Sequence, residues 1–320
     1  MVNRHMELRT DLSDDEWDKG LVGLGGHPLQ SSLWGNAKQN IYGINQYKLA
    51  AFNSGSLTWM ARVETRKAPL LGKIAWIPRG PVHKNLVNLP SITEQLRGHL
   101  RERGYILMVC TPWQRYIRDN ITDVSGIRDT TTIWIDLAQG KNRLWSRLDK
   151  QWRYGVRRAR KNGIATVSTS DNNDIVEFFR LCRKTSEIKR FKMTATQEFM
   201  MKLLETQHNA PVKAMLFITR VTGAIAAGAM IITCGRHVHY MWGGMDRQYA
   251  KCRVGEAVQW SVMEWACDNN YILYDLEGID SINNPGVADF KRKMGGDEIR
   301  LYGMQKYPVS FPGRLIAQFI

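Results

Sequence analysis

The stretch Gly278–Gly296 (GIDSINNPGVADFKRKMGG) sets Phe290 and Lys291 between a Gly/Asn/Pro-rich run and a double glycine. Functional loops carried on a rigid scaffold often have this composition. A lysine there could hold a phosphate or stabilise a developing oxyanion; the plainer alternative is a surface loop with solubilising lysines. Asp289, Arg292 and Lys293 flank it, which makes the loop locally cationic. Gly286 and the pair Gly295-Gly296 would let the backbone approach a ligand closely.

A second stretch, Lys141–Lys161, holds nine basic residues and a single acid, Asp149. Leu144, Leu148, Trp152, Val156 and Ala159 recur at helical spacing, so one face can bury while the cationic face stays wet. An ordinary exposed helix mixes signs for i,i+4 pairing. The imbalance points instead to phosphate or nucleic-acid contact by residues such as Arg153, Arg157, Arg158 and Lys161, without any base readout. A third feature is Gln30-Ser-Ser-Leu-Trp34-Gly-Asn-Ala-Lys38, in which Trp34 and Lys38 share a helix face. On spacing alone it is a packed indole with a snorkelling lysine. His237 and His239 alternate along a strand with no third ligand spaced for a metal, and are read as a structural pair. There is no Gly-x-Ser-x-Gly elbow and no phosphate loop.

The elements that must position these residues can be traced from periodicity and turn signals. Tyr47–Phe52 and Leu57–Val63 read as a hairpin around Asn53-Ser54-Gly55. A strand at Ile74–Ile77 stops at Pro78-Arg79-Gly80-Pro81. A helix at Ser91–Arg103 has Ser91 and Glu94 spaced for a capping box and Gly104 past its end. Strands at Tyr105–Val109 and Thr130–Leu137 complete the first half. The second half follows the same order: one helix over Lys141–Lys161, a strand at Ile164–Ser168, and helices at Asn173–Lys184 and Thr196–Gln207. A meander follows at Val212–Thr219, Ala224–Cys234 and His237–Trp242, then a helix at Gly255–Asn269 and a strand at Tyr271–Asp275. This is an α+β pattern with one architecture used twice, rather than a doubly wound parallel sheet.

At 320 residues the chain has room for one large or two medium domains. No apolar run reaches the about 20 residues of a spanning helix, and the N-terminus lacks a secretory h-region. The five cysteines are scattered, without metal or disulfide spacing, which suits a reducing cytoplasm. The net charge of +15 favours a polyanionic partner.

Taken in order, these segments resemble the Fem (FemABX) family of aminoacyl-tRNA-dependent transferases, which build peptidoglycan interpeptide bridges. The motifs similar to the family's are Gln30-Ser-x-x-Trp34-x-x-x-Lys38, Pro78-Arg79-Gly80-Pro81-Val82, the basic run Trp152–Gly163, and Phe290-Lys291-x-x-x-Gly295-Gly296 followed by Tyr302-Gly303. The resemblance implies two GNAT-like domains in tandem: residues 1–143, completed by 302–320, and residues 144–301. No heptad stretch for a coiled-coil arm is present. It further implies that Lys38, beside Trp34, binds substrate phosphate, and that Lys291 stabilises the reacting centre beside Phe290. Tyr240 and Trp242 match the aromatics that contact the sugar-nucleotide or peptide. The chain departs from the family pattern at Thr111-Pro112, where an acidic residue is usual, and at Ile188, where an arginine is expected and Lys189 and Arg190 only neighbour it.

The implied reaction is aminolysis: an amine of a peptidoglycan precursor stem peptide attacks the ester of an aminoacyl-tRNA, a co-substrate, with no cofactor or metal and in the cytoplasm. Beside a non-enzymatic RNA-binding module, against which the Phe290-Lys291 segment argues, two enzymatic alternatives stand. One is the same transfer to a small-molecule, antibiotic-type acceptor. The other is acyl-CoA-dependent N-acyl transfer, to which Cys252-Arg-Val-Gly255-Glu-Ala257 half-matches through its likeness to the GNAT pyrophosphate loop.

Overall fold

A computed structural model describes residues 6–84, 89–115, 128–189, 192–205 and 209–319. The chain divides into two compact units, one of residues 1–130 and 300–320 and one of residues 131–299. The first break therefore comes earlier than the expected residue 143. The reason is local: the strand after it pairs with a strand of the second unit.

The first unit runs β1 (Met6–Arg9), α1 (Asp14–Gly23), α2 (Ser32–Tyr42), β2 (Gln46–Asn53), β3 (Ser56–Ala68), β4 (Gly72–Arg79), β5 (Val82–His83), α3 (Leu89–Glu102) and β6 (Tyr105–Pro112). The second comprises β7 (Arg128–Asp136), α4 (Lys141–Arg147), α5 (Lys150–Lys161), β8 (Thr166–Thr169), α6 (Asn172–Lys189), α7 (Gln197–Leu204), β9 (Val212–Val221), β10 (Ala224–Cys234), β11 (His237–Met245), α8 (Val254–Asp268), β12 (Leu273–Asp275) and α9 (Pro285–Arg292). Strand β13 (Asp297–Pro308) and helix α10 (Phe311–Ile316) follow. Among the described residues the longest helix is α6, of 18 residues, and no helix is long and apolar enough to cross a membrane.

The expected doubling is present in the strand order. In the first unit β1, β2, β3 and β4 pair antiparallel in sequence, β4 pairs β6 in parallel, and β6 pairs β13 antiparallel. In the second, β8, β9, β10 and β11 pair antiparallel, β11 pairs β12 in parallel, and β12 pairs β7 antiparallel. Each parallel pair is joined through one helix, α3 or α8, as a parallel connection requires. The strand beside β6 comes from far along the chain, since β13 returns to the first unit from the C-terminal end, whereas β7 opens the second unit's own run.

Several expected elements hold with adjusted ends, and two change in kind. The Asn53-Ser54-Gly55 turn forms with Ser54 and Gly55 at φ 49 and 77, the left-handed pair that a tight hairpin favours. Helix α3 starts at Leu89, so Ser91 sits inside its first turn and does not cap it. The single helix expected over Lys141–Lys161 is two. Leu148 takes ψ 144 at the end of α4, and Asp149 starts α5 by accepting the Gln151 amide at 2.8 Å. An N-cap aspartate outweighs helical continuity there. The core of the second unit gathers Leu144, Leu148, Trp152 and Val156 from α4 and α5 with Val254, Val258 and Met263 of α8 and Ala229 and Ile231 of β10. Helix α6 covers the other face of that sheet, where Gly228 leaves room for Phe178.

Candidate active site

In the second unit, Lys291 lies in the last turn of α9 and is 7% exposed. The expected cationic loop is thus a helix, and its lysine is buried. Pro285 begins it, a position where the missing N–H costs nothing. Lys291 Nζ donates to the carbonyls of Gly278 at 3.0 Å and Glu277 at 3.4 Å, and lies 5.7 Å from the Tyr240 ring centroid. An ammonium has three donors, so the two carbonyls leave one N–H for a ligand. Burial pushes its pKa down from 10.5 to about 8, with Glu277 and Asp275 pulling the other way. The neighbouring charges are neutralised: Arg292 pairs with Glu298 at 2.6 Å and Lys293 with Asp289 at 2.7 Å. Gly295 and Gly296 face protein, not ligand. A methyl on them would stand 2.5 Å from the Arg147 carbonyl oxygen and 2.5 Å from the Ile133 side chain, respectively.

Phe290 links this lysine to the basic helix. Its ring lies 5.0 Å from that of Trp152 on α5, and it also touches Gly255 at the start of α8. Tyr240 and Trp242, expected to act together, point to opposite faces of the sheet. Met230 pairs with Trp242 and Ile231 with Tyr240, so Met241 is an extra residue in β11, and such a bulge reverses the alternation. Tyr240 therefore joins Lys291 and the α8 side, 6.5 Å from Tyr274, while Trp242 meets Phe199 of α7 at 6.3 Å. Gly243 makes the Tyr240 position possible: a methyl there would lie 1.6 Å from the phenol oxygen. His239, on β11, is buried, with Nδ1 3.1 Å from Glu277 Oε1. Burial first, then the neighbouring His239 and Arg236, together lower the His237 pKa to about 4.

The basic residues of α5 serve different purposes. Arg153 donates to the carbonyls of Ser146 and Leu148 at 2.9 and 2.7 Å, closing the end of α4. Arg160 donates to both carboxylate oxygens of Glu264 of α8 at 2.6 Å. Arg157, Arg158 and Lys161 remain exposed on the face opposite Trp152 and Val156. Tyr154 joins them, 48% exposed, with its hydroxyl accepting from Arg158 at 3.2 Å. An exposed aromatic within a basic stripe offers a stacking surface for bases, and its interleaving among the arginines was visible in the sequence though Tyr154 was not singled out. Gly155 presses on Glu256 of α8, where a methyl would come within 2.8 Å of the carboxylate.

In the first unit, Trp34 is buried in α2, which Ser31 caps by accepting the Trp34 amide at 3.2 Å. Lys38, one turn on, is half-buried 5.5 Å from the Tyr42 ring centroid. Burial lowers its pKa, Glu64 raises it, and Arg66 and Arg62 lower it. Gln30 is structural. Its carboxamide donates to the Pro78 carbonyl and accepts the Arg62 amide, both at 2.6 Å, so the first two sequence motifs hold each other. The Pro78–Pro81 turn borders a small cavity of about 60 Å³ with His27, Arg79, His83 and Trp113 in its wall. Thr111 Oγ1 accepts the Arg79 amide at 2.9 Å. Ile188 is exposed near the end of α6, and Arg190 lies outside the described residues.

Residues 146–292 match the family of acetyltransferase (GNAT) domains. No curated protein sequence matches the chain. Among solved structures, FemX is similar over 98% of this chain and 99% of its own, with a TM-score of 0.84 and 16% identity. A tandem GNAT protein from the clavulanic acid biosynthesis pathway is similar over 96% and 99%, with a TM-score of 0.56 and 12% identity. The L-PGS structure from Bacillus licheniformis covers 98% of each chain at a TM-score of 0.56 and 13% identity. The fold is that of FemX along nearly the whole chain, and it is GNAT-like, as the resemblance implied.

Proposed function

We propose that this chain, folded as FemX is, transfers an amino acid from aminoacyl-tRNA to an amine of a peptidoglycan precursor stem peptide. The observation that carries the reading is the position of Lys291: buried, lodged against Tyr240, with one N–H unspent, and joined through Phe290 and Trp152 to the helix that exposes Arg157, Arg158 and Lys161. The acceptor amine attacks the ester carbonyl, and the tetrahedral oxyanion takes a hydrogen bond from the Lys291 ammonium. Collapse expels the tRNA ribose hydroxyl and leaves an amide. An aminoacyl ester is already activated, so positioning and oxyanion stabilisation suffice without a covalent enzyme intermediate. The exposed stripe on α5 suits the tRNA backbone, and Tyr154 an unpaired base. Lys38 suits a phosphate of the acceptor. On this reading the co-substrate is aminoacyl-tRNA, no cofactor is needed, and the work is done in the cytoplasm.

The acyl-CoA alternative fits less well. A CoA pyrophosphate would need the N-terminus of α8. There Gly155 of α5 abuts Glu256, whose carboxylate accepts from Arg253 at 3.1 Å, and Gly255 touches Met245 and Phe290. That helix end is filled by protein and already carries an anion. The test offers the protein a mixed charged-tRNA pool with and without cell-wall precursors. RNase should abolish transfer and acyl-CoA should not restore it. Transfer that survives RNase and needs a CoA thioester would sink the reading. Transfer to a small amine in preference to the precursor would move the acceptor to the antibiotic type.

A further inference from the structure

The first unit exposes large apolar side chains in two places that converge. The β3–β4 turn, Ala68-Pro69-Leu70-Leu71, is closed by the Leu71 amide donating to the Ala68 carbonyl at 3.1 Å. Pro69 precedes Leu70, which takes φ 62. This is the plan of a type II turn, whose third position favours glycine or asparagine. A leucine at positive φ is strained, yet Leu70 stands fully exposed there and Leu71 is 53% exposed. Helix α10 is the other place. Ile316 and Ala317 pack on Ile74, Ile106 and Val109, while Phe311, Leu315 and Phe319, spaced by four, are 71%, 53% and 88% exposed. Both places abut one residue. A methyl at Gly72 would meet the Ile106 side chain at 2.9 Å, and one at Gly313 would meet the Ile106 carbonyl oxygen at 1.8 Å.

The charge on the two segments themselves is of one sign. Neither residues 66–75 nor residues 300–320 contain an aspartate or glutamate, whereas Lys67, Lys73 and Arg314 are exposed. Lys67 and Lys73 stand directly opposite each other across the hairpin, an arrangement that destabilises a sheet unless an anion offsets it. A nucleic acid would answer the lysines but not the leucines. A second copy would bring cation against cation. An anionic bilayer answers both, the apolar residues entering the acyl boundary and the basic rim meeting headgroups. We propose that the β3–β4 turn and α10 together form a peripheral docking surface for an anionic phospholipid membrane. The proposal stands apart from the transfer reading, since docking needs neither tRNA nor acceptor.

The test is co-sedimentation of the full chain with vesicles of phosphatidylglycerol and phosphatidylcholine in equal parts, against phosphatidylcholine alone. Binding is expected to the mixed vesicles only, and to weaken with salt over the Debye range. Leu70→Gly combined with Phe311→Ser and Phe319→Ser should lower it about tenfold or more, as losing the apolar anchor does. The thermal midpoint of Leu70→Gly alone should hold or rise, because glycine relieves the positive φ. Lys67→Glu with Lys73→Glu should abolish the preference for phosphatidylglycerol. Equal binding to both vesicle types, no binding to either, or undiminished binding by the triple variant would overturn the proposal. So would dimerisation of the wild type that the triple variant abolishes, which would assign the surface to a second copy.

Discussion

Lys291 carries the most chemistry per atom, and its burial changes what its removal should do. Its stem is packed in α9 and its ammonium satisfies two carbonyls. Lys291→Met keeps the stem volume and removes a buried charge, but leaves those carbonyls short of a donor, which costs about 1–3 kcal/mol each if they stay dry. The expected net change in stability is small, and kcat should fall roughly 10²–10³-fold, as with loss of one oxyanion donor. A rise in KM alone would make the lysine a ground-state phosphate ligand instead. The pH dependence has a definite sign. Because burial lowers the folded pKa to about 8 from 10.5, the folded state gives up its proton first. Between these values the unfolded chain binds more protons, so stability gains with rising pH. Activity that needs the ammonium falls through the same window. A wild-type kcat profile with no falling limb near pH 8, or one that persists in Lys291→Met, would remove Lys291 from the chemistry. Gly243→Ala tests the partner: its methyl would collide with the Tyr240 hydroxyl, so it should lower kcat/KM about tenfold or more by moving Tyr240 from Lys291, while far-UV circular dichroism stays native. The types of these residues were legible in the sequence; their burial was not. Glu277, Gly278 and Tyr240 reach Lys291 only through the fold, and nothing local announces that Gly295 and Gly296 face Arg147 and β7.

At the scale of elements, periodicity located the basic helix and hid its break. The apolar spacing from Leu144 to Ala159 continues in phase across Leu148-Asp149, so only the Asp149 cap interrupts it. The division decides which arginines meet a ligand. Arg157→Glu with Arg158→Glu should weaken tRNA binding and lower the log–log salt slope by roughly 0.7–0.9 for each phosphate the protein no longer neutralises. Arg153→Ala should leave that slope unchanged and lower the melting temperature, because its hydrogen bonds go to the end of α4. Equal slopes in all three proteins would assign the exposed stripe to solvent. The β11 bulge was equally silent. Tyr240-Met241-Trp242 alternates like any strand, and only pairing with Met230 and Ile231 shows that one residue is extra.

At the scale of the molecule, the doubled architecture was readable from element order, and the return of β13 to the first unit was not, because pairing between β6 and β13 spans most of the chain. The first unit's sheet takes β13 from the far end of the chain. The first unit therefore cannot complete its sheet until the C-terminus has been made. In the native chain β13 covers β6 from Leu107 to Cys110, and Leu301, Tyr302 and Val309 are buried with it. Ending the chain at residue 299 would strip that edge and those side chains, while leaving β7 on β12 and the whole core around Trp152 and Met263. Hydrogen exchange should then show the β6 amides losing protection, whereas those of β9 and β10 keep it, since local stability follows the burial and pairing each element retains. Collapse of protection in both units together would mean that the second unit draws its stability from residues 300–320, and that the repeated strand order does not mark two separable folding units.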